Sequence, residues 1–400
     1  MTGLADPASA PAKPPAGAGE GRGLRLAVVG ASTSEVCGVR DYAIGLAAAL
    51  RGERVSCSMH WLERREQALA AARTEMRTWT RALAAELEHE RPDAALLHYS
   101  VFSYSHRGLP LFVPATLAAL RRPGLALLTV MHEFAYPWGR AGLHGTAWAL
   151  SQRALLVAVM RASTAALVTI DSRAGWLTSR PWLPRRAVAF APVFSNLPTA
   201  LTAAVPAGGE RPRIGLFGYS HEGSAVALVL DALRLLQDRG RSAELVLLGA
   251  PGRDSPVGES WLAGAHARAL TPAPSFSGRL AADELAGALA SCELLLFADA
   301  AGPSSRKTTL AASLASGRPV LAIDGPLRWS ELLDAGALRL AAPTPQALAD
   351  GLDALLGDAQ ARRELGQRGR AFAEHQMSAA RSAGVVAGLL QAVHASRADA

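Results

Sequence analysis

The sequence predicts an α/β protein with two doubly wound parallel sheets that face each other across a cleft. From Leu24 onward, short apolar runs alternate with amphipathic stretches, which is typical of repeated strand–helix units on a parallel sheet. This alternation is interrupted once, near residues 199–211, and then begins again. A length of 400 residues also exceeds what one hydrophobic core usually accommodates. Two Rossmann-like domains of similar size are therefore expected.

The first series of strands predicts an N-terminal domain over residues 24–198. It follows a tail, residues 1–23, that is rich in Pro, Ala and Gly and is expected to be disordered. Each apolar run ends in polar or aromatic residues, at the edge where open α/β sheets bind ligands. The predicted strands are LRLAVVGAS, RVSCSMHWL, DAALLHYS, LALLTVMHEF and AALVTIDS, with a helix RDYAIGLAAALRG after the first and a charged helix at about residues 64–90.

The second series predicts a C-terminal domain over residues 212–376. Residues 199–211 are the expected linker, because the periodic signals give way there to Pro, Gly, Ala and Thr. A last helix is expected over residues 377–400 and can pack back on the N-terminal domain. The strands of this series are RIGLFGYS, AELVLLGA, PSFSGR, ELLLFAD and RPVLAIDG.

Composition and charge exclude several functional classes. Half of the residues are hydrophobic and 19% are charged, as in globular enzymes. The formal charge of +7 suits an anionic partner, but the arginines are scattered and no basic run predicts nucleic-acid binding. The apolar window at residues 146–170 is broken by Arg153 and Arg161, so no transmembrane segment is expected.

The cysteines indicate a compartment and no metal site. Cys37, Cys57 and Cys292 cannot all pair and match no metal-ligand spacing. Free thiols of this kind favour the reducing cytoplasm, which is the predicted location.

The segment SSRKTTL, residues 304–310, places two adjacent cations where a predicted strand passes into a helix. Ser304 or Ser305 can cap that helix, whose free N–H groups and partial positive charge favour an anion. Arg306 and Lys307 add two formal charges, which suits a diphosphate. No D-x-D pair for Mg²⁺ follows a strand, so a departing diphosphate would be stabilised by these donors without metal. A solvated helix start is the alternative.

Several segments keep a definite order along residues 24–376: CGVRDYAIGLAAAL, HYSVFSYSHRGLP, MHEF, LFGYS, SGRLAADELAGALASCELLLF and GPSSRKTTLAASLASGRPVLA. Together they resemble the family 4-like group of GT-B glycosyltransferases. The resemblance implies transfer of a sugar from a nucleotide diphosphate sugar, bound by the C-terminal domain, to an acceptor bound by the N-terminal domain. The nucleotide sugar is then a co-substrate, and no cofactor is expected.

The resemblance implies a donor site at the strand ends of the second domain. A glycine after its first strand would let the backbone approach a phosphate closely, although this signal alone is weak. Besides Arg306 and Lys307, the implied donor-binding residues are Gly218, Tyr219, Ser220, Gly249, Gly278, Arg279, Ser304, Ser305 and Thr308.

The chain departs from the family pattern in two places. Related enzymes commonly carry an Arg and a Lys after this glycine turn, where the chain has His221 and Glu222. Phosphate binding would then depend on Arg306 and Lys307. The two-glutamate motif of many retaining members falls on Ser304 and Ala312, so retention of the anomeric configuration cannot be carried over.

The implied acceptor site lies at the strand ends of the first domain. Asp41, in the first turn of the first predicted helix, is one candidate for contact with the acceptor. Its alternative role is to complement the dipole of that helix. Of the rings near strand ends, which are Tyr99, Phe102, Tyr104, Phe134, Tyr136 and Trp138, two or three are expected to touch a sugar and the rest to be core. The implied acceptor-binding residues are Gly38, Arg40, Asp41, Tyr99, Tyr104 and Glu133.

His132 ends the apolar run LALLTVM and is the candidate base. An ordinary imidazole has a pKa suited to taking a proton from an acceptor hydroxyl near pH 7. A hydrogen-bonded structural histidine is the alternative, and His98 is a weaker competitor because apolar residues flank it. The predicted catalytic residues are therefore His132, Arg306 and Lys307.

The sequence thus predicts a metal-independent glycosyltransferase that moves a sugar, of the hexose type, onto a small-molecule or glycan acceptor. A catalytically silent nucleotide-sugar-binding protein is one alternative, since the two glutamates are missing. A nucleotide-sugar epimerase on the same fold is another. The oligomeric state stays open.

Overall fold

The computed structural model describes residues 23–34, 37–198, 211–219 and 225–398, and the side chains up to residue 395. The predicted disordered tail, apart from Gly23, lies outside the described residues. So does the predicted linker, apart from Arg211. Ser220, His221 and Glu222 of the second domain are also outside them.

The first sheet is formed by residues 24–190 and is parallel throughout. Its strands are β1 (Leu24–Ser32), β2 (Val55–Glu63), β3 (Ala94–Ser100), β4 (Ala126–Glu133), β5 (Ala165–Val168) and β6 (Ala187–Phe190), in the order β2-β1-β3-β4-β5-β6. Its helices are α1 (Gly38–Leu50), α2 (Leu69–Glu90), α3 (Val113–Leu120), α4 (Gly142–Ala162) and α5 (Asp171–Thr178).

The second sheet is formed by residues 213–341 and is also parallel. Its strands are β7 (Arg213–Phe217), β8 (Glu244–Leu248), β9 (Ser275–Gly278), β10 (Leu294–Phe297), β11 (Val320–Ile323) and β12 (Arg339–Ala341), in the order β12-β11-β10-β7-β8-β9. The helices are α6 (Val226–Asp238), α7 (Pro256–Ala267), α8 (Ala282–Ala290), α9 (Thr308–Ala315), α10 (Ser330–Asp334), α11 (Pro345–Gly357), α12 (Ala359–Gln376) and α13 (Ala379–Ala398).

Each sheet is doubly wound, as the sequence predicts. The direction of strand addition reverses once per sheet, between β1 and β3 in the first and between β7 and β10 in the second. Ligands of open parallel sheets bind at the carboxyl ends of the strands, in the crevice at such a switch point. The predicted α/β fold class is confirmed.

Apolar strands place the core on both faces of each sheet. Every residue of β3 is buried, and separate apolar clusters lie above and below each sheet. The last helix, α13, packs against α1, β5 and β6, so the end of the chain returns to the first sheet. Among the described helices, none combines the length and the apolarity needed to cross a bilayer.

Candidate active site

The loop between β10 and α9 crosses from the second sheet to the first. The Ser305 carbonyl accepts a hydrogen bond from the Val193 amide at 2.8 Å, and the Ser305 hydroxyl donates to the Thr169 carbonyl at 2.8 Å. Behind this loop, Gly302 and Gly325 meet backbone to backbone, since a Cβ on Gly325 would lie 2.3 Å from the Gly302 nitrogen. Two glycines therefore let the loop lie flat against its neighbour and reach the first domain.

The expected capping by Ser304 or Ser305 is wrong. Helix α9 begins at Thr308, its N-cap is Lys307, and no side chain caps it. Both serines are buried, at 1% and 0% exposure, because the preceding loop is pressed between the two domains. Ser305 holds the loop to the first domain, and the Ser304 hydroxyl has no hydrogen-bond partner among the described residues.

Arg306 and Lys307 point into the crevice between the sheets. Arg306 Nη1 donates to Glu133 Oε1 of β4 at 3.1 Å, and Lys307 Nζ lies 2.8 Å from Asp299 Oδ2 at the end of β10. Burial lowers the pKa of Lys307 to about 8, although the Glu133 carboxylate opposes the shift. At neutral pH both side chains are therefore cationic and face the same space.

A third cation, Arg173, enters the crevice from α5, and sequence reasoning did not identify it. Its guanidinium carbon lies 5.1 Å from the centre of the Phe134 ring, and Nη1 donates to the His132 carbonyl. Burial and the nearby Arg306 lower the pKa of Arg173 to about 10, while Glu133 opposes them. In the described part of the chain no carboxylate forms a salt bridge with it. The sequence feature that could have identified Arg173 is the polar segment DSR, which directly follows a predicted strand.

We call Arg173, Arg306 and Lys307 the cation cluster. Two carboxylates, Glu133 and Asp299, face the three positive charges. The excess of positive charge in a partly buried crevice favours an anion there. The carboxylates differ in exposure, since the Glu133 side chain is 42% exposed and that of Asp299 only 7%.

His132 forms a stacked pair with His98. Nε2 of His132 and Nδ1 of His98 are 3.1 Å apart, and the ring of Tyr42 meets both rings edge-on. Burial, with Arg173 as second cause, lowers the pKa of His132 to about 3, and burial also lowers that of His98 well below its usual value. The expected pKa near 7 for His132 is thus wrong, because the ring is enclosed beside a guanidinium.

Two of the expected acceptor contacts are wrong. Tyr99 and Tyr104 are each 1% exposed and stack on one another in the core of the first sheet. Their side chains cannot reach a ligand, because β3 is covered on both faces. Phe134 is also core, at 6% exposure, whereas Phe102 and Trp138 are exposed at 44% and 53%.

The other acceptor candidates lie at the start of α1, beside the switch point of the first sheet. Arg40 forms an ion pair with Glu63 at 3.6 Å, and Gly38 faces open space. Burial raises the pKa of Asp41, and Arg40 opposes this shift. No hydrogen bond or ion pair within the described ranges joins Arg40 or Asp41 to the cation cluster. Of the expected acceptor residues, Glu133 is the one that pairs with the cation cluster in these ranges, through Arg306.

Three of the expected donor residues form a glycine edge along the second sheet. Gly218, Gly249 and Gly278 end or follow β7, β8 and β9, and all have a positive φ, of 86°, 86° and 66°. A Cβ on Gly218 would lie 2.9 Å from Thr309 Cγ2, so this turn touches the first turn of α9. The structure therefore brings Gly218 to the first turn of α9, at the switch point between β7 and β10.

The remaining donor candidates are placed differently. The prediction that the Tyr219 side chain contacts the donor is wrong. Its ring is 1% exposed, and its hydroxyl is hydrogen-bonded to backbone groups. It donates to the Gly249 carbonyl at 3.1 Å and accepts from the Gly252 amide at 2.6 Å, which stabilises the glycine edge. Thr308 begins α9, next to the cation cluster, and Arg279 is exposed after β9.

The family comparison bears on the second domain. Residues 211–358 match the family described as glycosyl transferases, group 1. The match covers fewer than half of the residues of the chain, and all of the matched residues lie in or next to the second domain. The expected resemblance to glycosyltransferases is thereby confirmed, and the matched residues include Gly218, Arg306 and Lys307.

The fold of the whole chain resembles solved glycosyltransferase structures. A glycosyltransferase from Rickettsia africae superposes with a TM-score of 0.69 and 10% identity, covering 92% of this chain and 99% of that one. Sucrose-phosphate synthase from Thermosynechococcus elongatus gives 0.67 and 14%, covering 93% and 100%.

A third similar structure contains ligands. Anabaena HepE, in complex with UDP and glucose, gives a TM-score of 0.65 and 14% identity, covering 92% of this chain and 100% of that one. At such identities the likeness establishes the GT-B fold alone. No curated protein sequence matches the chain.

Proposed function

We propose that the protein transfers a sugar from a nucleotide diphosphate sugar to a hydroxylated acceptor, a small molecule or a glycan. The observation that carries the proposal is the cation cluster, in which Arg306 and Lys307 at the switch point of the second sheet meet Arg173 of the first domain. HepE, whose fold is similar, is in complex with UDP and glucose, a nucleoside diphosphate and a sugar, which are the two parts of the proposed donor.

The cation cluster is suited to stabilising a leaving diphosphate. Negative charge grows on the diphosphate oxygens as the bond to the anomeric carbon breaks, and cations already held in place stabilise that charge without reorganising. Charge-assisted hydrogen bonds contribute roughly 1.5–3 kcal/mol each. We infer that Arg306 and Lys307 carry most of this role and that no divalent ion is required.

The two carboxylates have different tasks in this proposal. Asp299 is buried and also accepts a hydrogen bond from the Ala301 amide at 2.9 Å, so it holds Lys307 in position. Glu133 is more exposed and binds Arg306 from the other domain. The diphosphate would displace the Glu133 carboxylate from Arg306. Glu133 would then be free to bind acceptor hydroxyls.

His132 acts in this proposal as a neutral hydrogen-bonding group. With a pKa of about 3 the ring is a weak base, so it orients a hydroxyl and does not remove its proton. The dianionic terminal phosphate of a departing nucleoside diphosphate is a stronger base, because its conjugate acid has a pKa of about 6. The acceptor proton would therefore pass to a departing phosphate oxygen or to water.

Calorimetry with UDP tests the cation cluster. Replacing both Arg306 and Lys307 with Ala should weaken UDP binding by on the order of 2–4 kcal/mol, because two charged hydrogen-bond donors are lost. Arg234→Ala is the matched control, since Arg234 forms a surface ion pair with Asp238 on α6. Unchanged affinity in the double variant, with the melting temperature preserved, would remove the proposed role.

Incubation with isotope-labelled donor distinguishes the candidate functions. Label on an acceptor together with free nucleoside diphosphate supports transfer, and we expect a chelator to leave that turnover unchanged. Isomerised donor would support the epimerase. Binding without turnover would support the silent protein, which the absence of both motif glutamates at Ser304 and Ala312 favours.

A further inference from the structure

Helix α4 presents apolar side chains to solvent as well as to the core. Its inner side is buried through Gly145, Ala149, Gln152 and Leu156. We call the opposite, solvent-exposed side the outer face of α4; it is formed by Leu143, Ala147, Leu150 and Ala154, which are spaced as one helical stripe. Leu143 is 88% exposed and Leu150 is 58% exposed. A surface helix normally has polar residues there.

Neighbouring loops extend this apolar surface. Trp138, in the loop before α4, is 53% exposed, and the guanidinium carbon of Arg153 lies 4.3 Å from its ring centre. Gln152 joins this loop to the one after β3, because its amide donates to the Gly108 carbonyl and accepts from the Tyr136 amide. That second loop adds Leu111, which is 42% exposed.

The charge of this part of the chain is one-sided. Residues 94–170 contain six arginines, no lysine and a single carboxylate, Glu133, which already pairs with Arg306. The formal charge of this stretch is +5, and one of its arginines, Arg122, forms an ion pair with Glu88 of α2. Arg107 and Arg140, in the two loops beside α4, are exposed. The surface attracts anions as well as apolar groups.

We propose that the outer face of α4 docks on an anionic membrane surface. An exposed apolar helix face flanked by arginines and by a tryptophan is what lies in the boundary between lipid head groups and acyl chains. Leu143 and Leu150 would enter the apolar layer, and Arg107 and Arg140 would contact lipid phosphates. A second copy of the chain has the same positive charge on this surface, so charge opposes self-association here.

The position of α4 connects this surface with the crevice. Helix α4 follows β4, whose last residues, His132 and Glu133, lie in the candidate site, and Arg153 of α4 donates to the Tyr136 carbonyl in the intervening loop. Docking would therefore bring the acceptor side of the crevice close to the lipid surface. Docking itself does not depend on the proposed transfer reaction.

Vesicle co-sedimentation of the full chain, without any sugar donor, tests the inference. We expect binding to phosphatidylcholine vesicles that contain phosphatidylglycerol, weaker binding to pure phosphatidylcholine, and weakening of the former by salt. The double variant Leu143→Glu, Leu150→Glu should lose about tenfold or more of the partitioning, because two leucines no longer leave water. Met59→Glu is the control, since Met59 is 41% exposed on β2.

Two further measurements keep the result unambiguous. Light scattering shows whether the chain dimerises, and a dimer that the double glutamate variant dissociates would overturn the inference in favour of a second copy. Equal sedimentation of wild type and variant, or none by wild type, would overturn it too. Leu143→Ser, Leu150→Ser provides a variant without new charge, and its unchanged melting temperature would show that the fold is intact.

Discussion

Lys307 shows how burial sets the charge of a single side chain in the crevice. Its pKa of about 8 lies well below the usual 10.5, since removal from water disfavours the ammonium ion more than Glu133 stabilises it. From its residue type alone, Lys307 would be expected to stay cationic up to about pH 10. His132 shows the same effect more strongly, because burial and Arg173 lower its pKa to about 3, and for that reason we propose it as a hydrogen-bonding group.

We expect UDP binding to weaken as the pH rises through about 8 and slightly above, because Lys307 then loses its proton. A bound diphosphate favours the ammonium form, which moves the midpoint upward. Lys307→Arg should remove this pH dependence, since a guanidinium stays protonated. Calorimetry across this pH range measures it, and matching pH profiles for the two proteins would contradict the assignment.

At the scale of elements, the site depends on turns that only glycine permits. The turn after β7 lies against α9 through Gly218 and Thr309, and the loop after β10 lies against the loop after β11 through Gly302 and Gly325. These close approaches place the start of α9 at the switch point. The glycines are visible in the sequence, but the element that each one touches is not.

Gly218→Ala should lower the free energy of unfolding by about 1–3 kcal/mol, because its φ of 86° is strained for alanine and its new methyl group would meet Thr309. UDP affinity should fall as well. Adding Thr309→Ser removes the contacted Cγ2 and should recover part of the loss. Gly388→Ala in α13 has open space around it and should be neutral or stabilising. Denaturant unfolding measures the free energy of unfolding of each variant. An equal loss in Gly218→Ala and Gly388→Ala would contradict the prediction.

At the scale of the whole molecule, the two domains meet through contacts around the candidate site. Arg306 binds Glu133, Ser305 binds Thr169, and the rings of Trp329 and Phe190 meet at 5.8 Å. The cation cluster therefore exists only when the domains are together, since Arg173 belongs to one and Arg306 to the other.

Glu133→Gln should strengthen UDP binding by about 1 kcal/mol, because a neutral amide competes less well than a carboxylate for Arg306. Glu63→Gln, which removes the Arg40 partner elsewhere in the first domain, is the matched control. Calorimetry measures both. A loss of affinity in Glu133→Gln would instead mean that the carboxylate orients Arg306 for the ligand.

Local patterns in the sequence determined the fold class and most of the elements. Ten strands were predicted, because each is a compact apolar run bounded by turn residues. The edge strands β6 and β12 were not predicted: β12 has only three residues, and β6 is a four-residue run with no fully buried residue. The cationic segment at residues 304–310 was also found locally, from two adjacent charges at a strand-to-helix passage.

Tertiary packing decided what each side chain faces. It enclosed Tyr99 and Tyr104, turned Ser305 toward the first domain, and brought Arg173 to Arg306 from 133 residues away in the chain. It also left the outer face of α4 in water, although the helix is apolar on both sides. Periodicity records only which residues share a face, whereas burial and charge partners depend on surfaces that are distant in sequence, and these meet only in the folded chain.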